Sequence, residues 1–136
     1  MLNVVDENYK LIIASDIHVG AINTNDNFTQ LLNRGKQGDI TAMAFLGDLG
    51  TGHKYDLETF KEMISDSALP TSFSIMGNHD LFFDSWSAFK DIFGTAVYCF
   101  VVKTPTKKDL YLCLDSASGT FGDDQIEWLK NMLKNA

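Results

Sequence analysis

Cysteine, histidine and basic side chains are all scarce in this chain, and each shortage narrows what it can be. There are two cysteines, Cys99 and Cys113, in 136 residues. Both lie in apolar, strand-like runs, where free thiols behave as small buried hydrophobes. A hairpin turning near Thr106 leaves a cross-strand disulfide as the alternative. Lys and Arg number 11 against 18 Asp and Glu, for a formal charge of −7. A non-specific nucleic-acid binder needs the opposite surplus, so long nucleic acid is the partner class this balance argues against. No apolar run approaches the length of a membrane span. The segment Met1-Leu2-Asn3-Val4-Val5-Asp6-Glu7 is too short and too acidic for a secretory signal. A soluble, cytoplasmic protein is the expectation. Repeats, low-complexity tracts and linkers are also missing, and no glycine-rich phosphate loop follows the first apolar run.

What is present suits a globular fold: 45% hydrophobic and 12% aromatic residues, in a length that forms one domain over residues 1–136 with a real core. Leu11–Ser15, Ile40–Leu46 and Thr71–Met76 are short continuous apolar runs, the pattern of strands covered on both faces. Between them lie two helical patterns. Thr24-Asn25-Asp26-Asn27 offers N-caps for a helix with Phe28, Leu31 and Leu32 inward, stopped by Gly35 and Gly38. Asp56 is placed to cap a second helix bearing Leu57, Phe60, Met63 and Ile64. A third helix starts at Ser85, carries Trp86, Phe89, Ile92 and Phe93, and closes at Gly94. Ala96–Val102 and Leu110–Leu114 are joined by a link too short for a crossover and predict an antiparallel hairpin. A last helix places Ile126, Leu129, Met132 and Leu133 on one side. The fold class expected is α/β: a parallel βαβαβ sheet continuing into an antiparallel hairpin.

The three apolar runs share one feature. Asp16-Ile17-His18 follows the first, Gly47-Asp48 the second, and Gly77-Asn78-His79-Asp80 the third. In an open parallel sheet the strands' carboxyl ends share one edge, where ligands bind. Strands about 4.8 Å apart bring groups at three adjacent ends within about 10 Å of one another, enough for a metal pair about 3.5–4 Å apart. Asp16 and His18 project to one side of a strand end, Asp48 can bridge two cations, and Asn78 offers a neutral carbonyl oxygen. Mixed imidazole and oxygen donors suit Mn, Fe, Zn or Co better than Mg. His79 beside Asp80 has the makings of an acid/base imidazole oriented by a carboxylate. His53 lies in the wrong loop to join them and is expected at the surface.

These blocks resemble the first three signature blocks of the calcineurin-like metallophosphoesterases. The stretch from Leu114-Asp115-Ser116 through Gln125-Ile126-Glu127-Trp128-Leu129 is also similar to that family, particularly its purple-acid-phosphatase and cyclic-nucleotide-phosphodiesterase branches. The resemblance spans Leu11 to Leu133. It implies a metal-dependent phosphoric ester hydrolase with two divalent ions. Asp16 and His18 would hold the first metal, Asp48 would bridge both, and Asn78 would hold the second and contact the phosphate. His79 would protonate the leaving-group oxygen, with Asp80 holding its ring. The substrate class implied is a small phosphate mono- or diester.

The chain departs from the family in its later part. The family closes its metal site with further histidines from two later loops, the last a Gly-His-x-His block. Here the histidines are His18, His53 and His79 alone, so the second metal keeps only Asp48 and Asn78. The αββα sandwich is likewise expected to be represented by its first part, in a fragment or a naturally short relative. Ala96–Val102, apolar on both faces, would then seek cover by self-association. A catalytically incomplete scaffold that binds a partner or forms a homodimer through its uncovered sheet is the alternative expectation.

Overall fold

The computed structural model describes residues 1–136, the side chain of Asp84 excepted. Strands β1 (Leu2–Asn3) and β2 (Leu11–Ala14) precede helix α1 (Thr24–Gly35). Then come β3 (Ala42–Leu46), α2 (Lys54–Ile64), β4 (Thr71–Ile75), a 3-10 segment (His79–Asp84) and α3 (Ser85–Phe93). Strands β5 (Tyr98–Lys103) and β6 (Lys108–Cys113) and helix α4 (Asp123–Lys134) complete the chain.

The three apolar runs form one parallel sheet in the order β2-β3-β4, with Ile13 opposite Ala44 and Ala44 opposite Phe73. Central β3 is buried from Ala42 to Phe45, which is why its sequence shows no polar alternation. On the helical face Met43 and Phe45 pack with Phe28 and Leu32 of α1 and with Leu57, Phe60 and Ile64 of α2. Phe60 is the wedge of this core. Its ring lies flat against Phe28 at 5.3 Å and edge-on to Phe45 at 5.3 Å. Helix α3 adds Ala88 and Phe89 to the same core. Helix α2 begins earlier than its pattern predicts: Asp56 lies inside the first turn, buried, and accepts a hydrogen bond from the Thr51 hydroxyl instead of capping.

The hairpin forms as expected, Tyr98 facing Cys113 and Cys99 facing Leu112. Its ladder does not extend the parallel sheet. The free edge of β5 instead takes β1 in parallel, giving a second sheet in the order β1-β5-β6. Two residues carry no periodic signal, so β1 is invisible to patterning. The sheets are joined through side chains: Phe73 of β4 stacks on Phe100 at 3.8 Å, Phe100 stacks on Tyr111 at 4.7 Å, and the Tyr98 hydroxyl donates to the Ser74 carbonyl at 2.8 Å. These contacts bury Phe100 and, with β1, Val102. Tyr9 latches the β1–β2 link to the hairpin by donating to Asp109 at 2.7 Å, while its oxygen lies 2.5 Å from that of Tyr111.

The register also disposes of the disulfide alternative. Cys99 and Cys113 are paired one position out of step, so their side chains leave opposite faces of the sheet, and both are free. Burial pushes the Cys113 thiol up from its ordinary pKa. Helix α4 shows the expected apolar side but buries no residue completely, and Ile126 and Leu133 stay exposed. Among the described residues no helix is long and apolar enough to cross a membrane.

Truncating the wedge tests this account of the core. Phe60→Ala is expected to cost about 3–5 kcal/mol, whereas Leu133→Ala on the open side of α4 should stay within about 0.5 kcal/mol. Urea unfolding of the two variants measures the difference.

Candidate metal centre

The loops leaving β2 and β3 are zipped together past the ends of their strands. Asp16 N–H donates to the Gly47 carbonyl at 3.1 Å, His18 N–H to Asp48 at 2.8 Å and Val19 N–H to Leu49 at 2.9 Å. To make this ladder turn, Asp16, His18 and Asp48 adopt left-handed backbone, with φ of 56°, 51° and 50°. Residues with a Cβ avoid that region at a cost of about 1–2 kcal/mol each, and such strain collects at functional sites. The loop leaving β4 presses against the same place through glycine. A Cβ on Gly77 would collide with the backbone N and the Oδ1 of Asp48, so only glycine lets the two loops approach this closely.

The outcome is a single focus. His18 Nε2 lies 3.8 Å from Asp16 Oδ1 and 3.9 Å from Asp48 Oδ2. One donor atom from each of Asp16, His18 and Asp48 falls within 4.8 Å of the others. Separations of 3.8 and 3.9 Å are too long for hydrogen bonds. They fit two donors that each stand about 2.1 Å from a shared ion, which can be up to about 4.2 Å apart. The donor set of two carboxylates and an imidazole therefore suits a divalent transition metal. Asp48 is buried and fixed, because its Oδ1 accepts the His79 N–H at 2.9 Å while Oδ2 faces His18. Asn78 is exposed and shares with Asp16, Asp48 and Ser116 the lining of an open cleft of about 430 Å³. The His79 ring stands edge-on to His18, centroids 5.0 Å apart.

Asp80 takes another role than the one expected of it. It is fully buried, and its carboxylate accepts the backbone N–H groups of Leu49 at 3.0 Å, Gly50 at 3.3 Å and Gly77 at 2.9 Å. Among the described residues no hydrogen bond joins it to the His79 ring. The 3-10 turn, with Asp80 N–H donating to the Gly77 carbonyl, directs the side chain back under the loops. Burial pushes this carboxyl up from its ordinary pKa while the three amides pull it down. His53 is exposed, as expected, and its ring lies flat on Phe83 at 4.3 Å, apart from the ligand cluster.

Gln125 of α4 has a part that its place in the motif does not announce. Its Oε1 accepts the Asp115 N–H at 2.6 Å, and its Nε2 donates to the carbonyls of Asp115 and Phe121, both at 2.8 Å. That amide clamp shapes the loop which carries Ser116 and Ala117 into the cleft.

The sequence model of the calcineurin-like phosphoesterase family matches residues 9–133, nearly the whole chain. The chain belongs to that family. No curated protein matches it. Membership in the calcineurin-like phosphoesterases implies metal-dependent hydrolysis of phosphoesters, and Asp16, His18 and Asp48 are the candidate holders of a divalent ion.

If Asp80 ties the loops, removing its carboxylate should damage stability first. Asp80→Ala strands the buried amides of Leu49 and Gly50 and the half-buried one of Gly77, and is expected to cost roughly 3 kcal/mol or more. Asp16→Asn, exposed and at home in left-handed backbone, should change stability by less than about 0.5 kcal/mol. Urea unfolding in the absence of metal separates the two; a stable Asp80→Ala protein would rule out the tie.

Proposed function

We propose that this calcineurin-like phosphoesterase hydrolyses small phosphate mono- or diesters at a dinuclear metal site to which it contributes Asp16, His18, Asp48 and Asn78. What supports this reading above all is the convergence of two carboxylates and an imidazole, each on strained left-handed backbone, at one focus on the sheet edge. Strain of that kind is kept where a fixed geometry is needed.

Asp16, His18 and Asp48 would hold one ion, with Asp48 shared, and Asn78 would complete the second position and orient the phosphate. When bound, divalent ions of the Mn, Fe, Zn or Co class supply Lewis acidity toward phosphoryl oxygens and acidify water. His79, whose ring stands beside His18, is the proton donor: as a water oxygen bonds to phosphorus and the ester P–O bond breaks, a ring N–H passes its proton to the departing oxygen, so that an alcohol leaves instead of an alkoxide. Its position is set from behind, through its own backbone N–H on Asp48. The acidic surface of the chain, −7 overall, favours small esters over long polyanions.

Metal content tests the proposal before turnover does. After Mn(II) loading and desalting, the wild-type chain should retain metal and hydrolyse a generic phosphodiester. Asp48→Asn is expected to lose at least about tenfold in metal affinity, the lower end of what even outer-shell changes cost. Unchanged metal content in Asp48→Asn would overturn the reading.

A further inference from the structure

A run of aromatic rings leads out of the metal centre toward solvent. From His18 it passes to His79 at 5.0 Å, from His79 to Phe82 at 5.0 Å, from Phe82 to Phe83 at 6.5 Å, and ends with Phe83 stacked on His53 at 4.3 Å and 7°. Unlike core rings, the outer members are open: Phe82 is 45% and Phe83 70% exposed. Phe83 moreover sits in left-handed backbone, φ 53° and ψ 40°. For a bulky residue this is a true outlier, and glycine or asparagine would serve the turn better. Exposure means that the ring recovers little by burial. Its flat stack is on His53, which is itself exposed.

The segment is nonetheless held firmly. The Ser85 hydroxyl donates to the Gly52 carbonyl, and Gly52 is packed so tightly that a Cβ on it would collide with Phe82 Cβ and the His79 carbonyl oxygen. The two aromatic side chains are thus displayed at a fixed place beside the group assigned above as proton donor. An ester oxygen accepting a proton from His79 must lie within hydrogen-bond reach of its ring. The nearest exposed apolar surface to such an oxygen's substituent is the Phe82 ring, 5.0 Å from that of His79.

We infer that Phe82 and Phe83 form a stacking ledge for the leaving group, and that the preferred substrates are phosphoesters whose leaving group carries a planar aromatic ring. This rests on the phosphoesterase reading and adds its substrate class. An aliphatic leaving group would meet only the edge of the ledge. A flat ring would lie against it, as offset-stacked and edge-to-face aromatic pairs do.

Binding of two phosphonates that cannot be hydrolysed tests the ledge separately from turnover. Benzylphosphonate and ethylphosphonate are titrated calorimetrically into the Mn(II)-loaded protein. Wild type is expected to bind the benzyl compound roughly tenfold tighter or more, as one aromatic stacking contact allows. Phe83→Ala should bring the two affinities within about twofold, with that for ethylphosphonate unchanged. Phe83→Gly, which suits left-handed backbone, should lose the same preference while its Tm is held or raised. Equal binding of both compounds by wild type, or a benzyl preference that survives in Phe83→Ala and Phe83→Gly, would overturn the ledge and leave the phosphate site standing. Failure of the loaded protein to bind either phosphonate would overturn the phosphoesterase reading and the ledge together.

Discussion

A single buried carboxylate holds the ligand-bearing edge of the parallel sheet together. Asp80 gathers the amides of Leu49, Gly50 and Gly77, and so ties the loop after β3 to the loop after β4. The loop after β2 is then fastened to the loop after β3 by main-chain bonds from Asp16, His18 and Val19. Charge-assisted hydrogen bonds of this kind contribute about 1.5–3 kcal/mol each. Three left-handed residues cost about 1–2 kcal/mol each. The two sums are of one size, and the loops that carry Asp16, His18 and Asp48 in left-handed backbone are joined through this tie and the main-chain ladder. In the presence of a cation the same strain is an advantage, because the donors need not reorganise to meet it.

How far the sequence foretells this depends on the range of the interaction involved. The strands that carry the ligands were legible because burial on both faces removes polar residues, and Leu11–Ser15, Ile40–Leu46 and Thr71–Met76 show that directly. Parallel connection then forces their polar ends onto one edge, which is why Asp16, His18 and Asp48 could be grouped without coordinates. Asp80 shows where such reasoning stops. Next to His79 it looks like an orienting carboxylate, but neighbouring residues on a turn point apart, and two of its three partners, Leu49 and Gly50, lie 31 and 30 positions away. Gln125 escapes for the same reason: an exposed-looking amide on a helix gives no sign of the loop that it clamps. The two-residue β1 and the left-handed Phe83 are set by packing around them, not by any local pattern.

Charge supplies an independent route to the same site. Five of the 11 basic residues of the chain are held in ion pairs elsewhere. Arg34 and then Lys10 hydrogen-bond to Asp39 and hold its carboxyl well below the usual carboxylate range, and Lys36 does the same to Asp66. Lys107 faces Asp109, and Lys54 faces Glu58. At the sheet edge the pattern is reversed: among the described residues the only basic group within ion-pair range of Asp16 or Asp48 is the imidazole of His18. Two carboxylates converge there, one of them buried, with no Lys or Arg to compensate them. Carboxylates that converge on one imidazole with no Lys or Arg beside them leave a cation from solution as the source of compensating charge. A divalent ion would supply it at Asp16, His18 and Asp48, where the donor atoms, their spacing and their fixed backbone agree.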